Sequence, residues 1–221
     1  MLTDWAVMGS GDGPVLNYYG PGVLGTVAPS GQEVVLEQDT TYPVGGAVRV
    51  RVSTETAEEF MLTLRIPAWS AKNEVVVNGE AEERVEAGTY LGLEREWKDG
   101  DVVELSLDMS PHFWVGEREA EGKMSVYRGP ILLAYDPRFN TMDAEELPTL
   151  DARTLTLERL TWEQEPRPWM LFRARSAGRQ VLLCDFASAG AAGNLYQTWL
   201  TMTGLAPLAF SRERPVWTNR P

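Results

Sequence analysis

Leu62-Thr-Leu-Arg-Ile-Pro-Ala-Trp-Ser70, Val75-Val-Val-Asn-Gly-Glu80 and Gly88-Thr-Tyr-Leu-Gly-Leu-Glu-Arg-Glu-Trp-Lys-Asp-Gly-Asp101 follow one another in a single stretch of the chain. Leu62, Leu64 and Ile66 alternate with Thr63 and Arg65, the period of two that gathers apolar side chains on one face of a strand. Pro67 stops the run because it has no N–H to give to a ladder. Residues 75–77 read as a second strand. Asn78-Gly79 tolerates positive φ at both positions, so the chain reverses there in a tight hairpin and returns over residues 81–85. A third strand over residues 90–96 ends at Lys98-Asp99-Gly100-Asp101, a second tight turn, after which residues 102–107 are expected to pair back. The stretch predicts a β-meander with its turns written into it.

Composition bounds what surrounds this unit. The 221 residues suffice for one large all-β domain or two smaller ones. Acidic residues outnumber basic ones by 32 to 20, a net charge of −12. That field repels phosphate backbones and anionic lipid, so neither a nucleic acid nor a membrane surface is expected as a partner. A single cysteine, Cys184, leaves no intramolecular disulfide and no multi-cysteine zinc site within the chain. The longest apolar runs, around residues 131–135 and 181–184, fall far short of the about 20 residues that cross a bilayer as a helix. An early acid and the absence of a basic start and apolar core give the N-terminus no signal-peptide character, which favours a cytoplasmic product if Met1 is the natural start.

Outward from the central stretch, residues 15–19 read as a strand. Gly20-Pro21-Gly22-Val23-Leu24-Gly25 then matches the dinucleotide-binding fingerprint letter for letter. That fingerprint works only where a helix N-terminus receives the pyrophosphate, and Pro29, Ser30 and Gly31 break the chain before a helix could form. Residues 32–38 and 48–52 alternate as strands, with residues 55–59 as an acidic connector. The charged run at residues 117–123 reads as a connector between two cores. Arg128-Gly129-Pro130 predicts a kink or bulge between strands at 124–127 and 131–135. Residues 140–147 are the one place where a helical turn is expected, stopped by Pro148. Further strands are expected at 154–162, 169–175, 180–186 and 196–202, with residues 187–194 as a small-residue loop and 212–221 as a polar tail. The fold class is all-β: two consecutive antiparallel β-sandwich domains with minimal helix, residues 1–118 and 119–221.

Candidate chemistry is sparse. His112 is the only histidine, and no metal-ligand spacing surrounds it and no Gly-x-Ser-x-Gly elbow accompanies it. Cys184, within Val-Leu-Leu-Cys-Asp-Phe, reads as a buried small hydrophobe. Glu94 and Glu96 share a strand face as a glycosidase pair would, yet Arg95 and Lys98 make a solvated mixed-charge face the better reading. Asp99-Gly100-Asp101 opens like a calcium loop but has Val103 where an oxygen ligand is needed. No catalytic or metal residue is assigned. The aromatic residues offer more: a tryptophan or tyrosine ring gives a neutral sugar a flat apolar platform, and Tyr19, Trp114 and Trp169 are the candidate carbohydrate-binding residues.

Several motifs, in order, carry a family resemblance. Leu-Arg-Ile-Pro-Ala-Trp (64–69), Val-Asn-Gly (77–79), Arg-Glu-Trp-Lys-Asp-Gly-Asp (95–101) and Tyr-Arg-Gly-Pro-Ile-Leu (127–132) resemble the C-terminal region of glycoside hydrolase family 127, the β-L-arabinofuranosidase family. Leu-Asn-Tyr-Tyr-Gly-Pro (16–21), Glu-Gln-Asp-Thr-Thr-Tyr-Pro (37–43) and Asp-Phe-Ala-Ser-Ala-Gly (185–190) are similar to it too. The resemblance implies a retaining exo-glycosidase made of an N-terminal (α/α)6 barrel followed by β-sandwiches, with a cysteine nucleophile in a zinc site inside the barrel. None of those catalytic residues has a counterpart here, and Cys184 does not match the nucleophile's motif. The resemblance therefore implies an accessory β-sandwich region that is inactive alone, holds no cofactor itself, and has the catalytic barrel as its partner, Met1 marking a split or shortened chain. A free-standing carbohydrate-binding module for a neutral glycan is the alternative.

Overall fold

The computed structural model describes residues 5–142 and 147–204. The tail expected at 212–221 and residues 143–146 of the helical turn expected at 140–147 lie outside the described residues. The chain divides into two compact units, Met1–Met109 and Ser110–Pro221.

Unit 1 contains β1 (Val7–Gly9), β2 (Pro14–Leu16), β3 (Gly22–Val27), β4 (Glu33–Thr40), β5 (Ala47–Thr54), β6 (Glu58–Arg65), β7 (Glu74–Val77), β8 (Glu80–Ala81), β9 (Tyr90–Trp97) and β10 (Val102–Ser106). These form two sheets, ordered β1-β2-β6-β9 and β3-β4-β5-β10-β7-β8. Alternation within each strand turns one set of side chains inward. Leu62, Leu64 and Leu93 from the first sheet meet Val34, Leu36, Val50, Val77 and Val103 from the second in one apolar core. Trp97 is fully buried there, its indole N–H donating to the Phe60 carbonyl at 3.1 Å and its ring stacked on Phe60 at 6.0 Å.

The central stretch keeps its turns and changes its pairing. Asn78 and Gly79 sit at φ 52° and 87°, the left-handed pair that a two-residue hairpin needs, and β7 pairs with β8 across them. Asp101 fastens the neighbouring turn, its carboxylate accepting from Lys98 N and Asn78 Nδ2, both at 2.9 Å. The expected meander does not form: β9 pairs with β6, whereas β10 pairs with β5 and β7 in the other sheet. Turn residues permit reversal but do not name the partner, and here the chain crosses between sheets at residues 98–101. Of the fingerprint-like glycines, Gly22 and Gly25 fall in β3, an antiparallel edge strand on β4, with no helix after it.

Unit 2 contains β11 (Pro111–Val115), β12 (Lys123–Arg128), β13 (Ile131–Tyr135), β14 (Leu150–Asp151), β15 (Thr156–Leu160), β16 (Leu171–Ser176), β17 (Arg179–Asp185) and β18 (Leu200–Thr203). Their order is β14-β18-β12-β13-β17-β16-β15, with β11 on β12. Because β11 pairs with β12 along its whole length, the charged run between them is the loop of a hairpin. Arg128 and Ile131 pair across Gly129-Pro130, so the expected kink is a hairpin turn, with Gly129 at φ 55°. Only short 3-10 turns, such as Pro137–Phe139 and Phe186–Ser188, interrupt the strands among the described residues. The class is all-β, as the alternation predicts.

Candidate functional site

The residues singled out in the sequence are distributed rather than gathered. Tyr19 is 8% exposed in unit 1, its hydroxyl donating to the Arg65 carbonyl at 2.7 Å and its ring edge-on to Tyr42. Burial raises its phenol pKa well above the ordinary value. Trp114 on β11 and Trp169 just before β16 are each about half exposed, at 53% and 51%. His112 stacks on Tyr127 at 5.5 Å. Cys184 is fully buried, and burial, followed by the nearby Asp136 and Asp185 carboxylates, pushes its thiol up to about 12, so it is not a thiolate at neutral pH. Glu96 pairs with Lys98 at 2.9 Å on an exposed surface, in keeping with the solvated-face reading of Glu94 and Glu96. A shallow depression of about 520 Å³ lies on unit 1 among Asp39, Arg49, Glu74 and Glu104, a mixed-charge lining. Among the described residues no three His, Cys, Asp or Glu side chains converge as a metal site.

The most organised polar cluster surrounds two carboxylates in unit 2 that are fully buried, Asp136 and Asp185. Asp136 caps the 3-10 turn Pro137–Phe139, accepting from Arg138 N at 2.9 Å, and takes the Arg138 guanidinium through Nε at 3.0 Å and Nη2 at 2.9 Å. From far along the chain, Gly190 N and Asn194 Nδ2 donate to the same carboxylate at 2.9 and 2.8 Å. Burial alone would raise the Asp136 pKa, but the bonds from Arg138 and Gly190 and the guanidinium charge hold the carboxyl below its ordinary value. Asp185 caps the second 3-10 turn: Ser188 N and Oγ donate to it, and Met170 N donates at 2.9 Å. Ser188 links the two halves, its carbonyl accepting from Arg138 Nη2 at 2.7 Å and its Oγ accepting from Trp169 N at 2.9 Å.

This lattice holds up an aromatic surface. Trp169, Phe186 and Tyr196 are 51%, 46% and 42% exposed, Phe186 and Tyr196 meet edge to face at 5.8 Å, and Leu195 is 87% exposed beside them. Gly190 lets the Tyr196 ring approach closely: a Cβ there would stand 2.9 Å from the ring. Exposed aromatic rings can stack on apolar faces of a sugar or on another protein. Sequence reasoning found Trp169 and missed Phe186, Tyr196, Asp136 and Asp185. The capping signatures Asp136-Pro137-Arg138 and Asp185-Phe-Ala-Ser188 were the available signal.

The family description "Beta-L-arabinofuranosidase, GH127 middle domain" matches residues 15–109. Among solved structures, one described as a glycoside hydrolase is 26% identical, with a TM-score of 0.76 over 90% of this chain. A GH127 β-L-arabinofuranosidase from Geobacillus stearothermophilus T6, at 24% identity and TM-score 0.74, shares the fold over 90% of this chain. So does a GH127 β-arabinofuranosidase at 22% identity and TM-score 0.71, over 86%. The chain spans only 35–37% of the length of these three structures. No curated protein matches it. Residues 15–109 therefore match the middle domain of glycoside hydrolase family 127, and the chain as a whole is similar to a β-rich part of longer glycoside hydrolases.

Proposed function

We propose that this chain is the accessory β-sandwich region of a β-L-arabinofuranosidase-like enzyme, whose work is to pack on and stabilise an (α/α)6 catalytic barrel. The observation that carries this reading is the asymmetry of the match: 90% of this chain aligns with 37% of a glycoside hydrolase chain. A match of that share supports reading the chain as a component of a longer fold. The chain on its own is then expected to cleave no arabinofuranoside and to carry no cofactor, zinc being confined to the barrel. The test is a chimera in which this chain replaces the matched region of the 26%-identical glycoside hydrolase. Its thermal midpoint should exceed that of the same enzyme with the region deleted by about 5 °C or more, the shift expected for one to two kcal/mol in a domain of this size. A chimera no more stable than the deletion would overturn the reading.

A second reading is favoured by the exposed Trp169, Phe186 and Tyr196 rings: a platform for a neutral glycan. Titration with arabinose oligosaccharides should then quench tryptophan fluorescence, and Trp169→Ala should abolish the quench. No change at millimolar ligand would remove this reading and leave the first untouched.

A further inference from the structure

The unit 1 sandwich has two outer faces, and they are built differently. On the six-stranded sheet the outward positions alternate in charge across the ladders: Asp39 opposes Arg49, Arg49 opposes Glu104, and Glu37 opposes Arg51. All five are exposed. Neighbouring opposite charges of this kind make a surface well suited to water.

On the four-stranded sheet the corresponding row reads Met8, Val15, Thr63, Gly92, one residue from each strand in register. Met61 lies beside it, its thioether 2.8 Å from where a Gly92 Cβ would stand. Tyr90 donates its hydroxyl to Asn17 Oδ1 at 2.8 Å, and Asn17 Nδ2 donates to the Trp5 carbonyl at 3.3 Å, so both aromatic residues are tied to the same end of the sheet. Met8, Tyr90 and Trp5 are 51%, 55% and 55% exposed. Of the charges on this face, Glu59, Glu94 and Glu96 are gathered at one end of β6 and β9, where Glu59 opposes Glu96, itself paired with Lys98, and Met61 opposes Glu94, while Arg65 stands opposite Tyr90 at the other end. A sheet with one solvated face normally marks that face with polar residues, whereas a row of apolar and small residues lets another backbone come close.

We propose that this face is the docking surface for a further folded domain, of the kind that makes up the rest of the longer family members. Its contact would centre on Met8, Val15, Thr63 and Gly92 and bring basic side chains to Glu59 and Glu94. The proposal rests on the accessory-region reading and adds the surface through which it acts. The occupant follows from length and position: this chain accounts for 37% of the matched glycoside hydrolase, and the family description places residues 15–109 in the middle of a larger protein. β1, the first described strand, is the edge of this sheet, so a domain joined ahead of it is tethered beside the face.

The experiment uses the chimera and the isolated chain together. Thr63→Glu with Met8→Lys, two strands apart, should lower the chimera's thermal midpoint by several degrees. The same pair should leave the isolated chain's midpoint nearly unchanged, and Glu104→Lys on the charged face should alter neither. Met8→Lys by itself, on the edge strand, repeats the test if the double variant does not fold alone. Amide exchange should also show β1, β2, β6 and β9 better protected in the chimera than in the isolated chain. A stabilised chimera that is indifferent to the face variants would overturn this surface while the accessory reading stands. A chimera that gains nothing from the unsubstituted chain would sink both. An isolated chain that dimerises by sedimentation, and is dispersed by Thr63→Glu, would give the face to a second copy and overturn the proposal.

Discussion

The two units stabilise themselves by contrasting means. Unit 1 closes two sheets over an apolar core whose centre is Trp97, and its polar ties, such as Asn78 to Asp101, sit in turns. Unit 2 sinks two carboxylates to zero exposure and hangs a loop on them. The reason lies in the loop: residues 187–194 are mostly alanine and glycine, with little side chain to pack, so charge-assisted hydrogen bonds to Asp136 and Asp185 replace the missing apolar contacts. Apolar burial tolerates small shifts, whereas a buried carboxylate needs every partner in place.

The largest effects should separate the two designs. Trp97→Ala should destabilise unit 1 by about 3–5 kcal/mol through loss of a large core side chain. Asp136→Ala should destabilise unit 2 by about 3–5 kcal/mol, because it leaves the largely buried Arg138 guanidinium without its counter-ion. Urea unfolding followed by amide exchange, resolved by peptide, measures each. If either substitution unfolded both units to the same degree, the contrast between them would break.

Acid should discriminate next. The folded pKa of Asp136 lies below its unfolded value, so the stability it contributes is fully present above the unfolded value of about 3.9 and is lost as pH falls through the folded one. Peptides around residues 136–140 and 186–194 should therefore lose exchange protection in acid before the core strands of unit 1 do. Equal loss in both would show that Asp136 contributes no more than an exposed acid.

Smaller changes sharpen the picture. Ser188→Ala removes the hydroxyl between Asp185 and Trp169 N and should cost about 1–2 kcal/mol, with a shifted Trp169 fluorescence maximum as its signature. Tyr19→Phe should cost only about 1 kcal/mol at neutral pH. In alkali the order should invert. The raised phenol pKa of Tyr19 means that its contribution is complete below the unfolded value of about 10 and is lost as pH rises above it, so the phenylalanine variant should lose less stability there. A parallel decline of both proteins above that pH would show that Tyr19 does not govern the alkaline limb.

Local signals were legible in the sequence wherever they were chemically strict. Leu62, Leu64 and Ile66 announced a strand with one buried face, and Asn78-Gly79 announced its hairpin, because period-two alternation and positive φ admit few alternatives. The inert, buried state of Cys184 was readable from its apolar neighbours. Trp169 was among the candidate binding residues read from the sequence, but Phe186 and Tyr196 were not, since they come within reach only when β17 and the segment before β18 are brought together.

By itself, then, the sequence determined that this chain is all-β, where most of its strands lie, where it turns, and which family its motifs resemble. Only the tertiary structure decided that β9 and β10, adjacent in the chain, enter different sheets, and that Gly190 and Asn194 close on an aspartate more than fifty positions earlier. Propensity and turn chemistry act over a few residues. Strand partners and the remote donors to a buried carboxylate are chosen by the packing of segments distant in sequence, where the desolvation of a carboxylate or the filling of a core is settled for the fold as a whole.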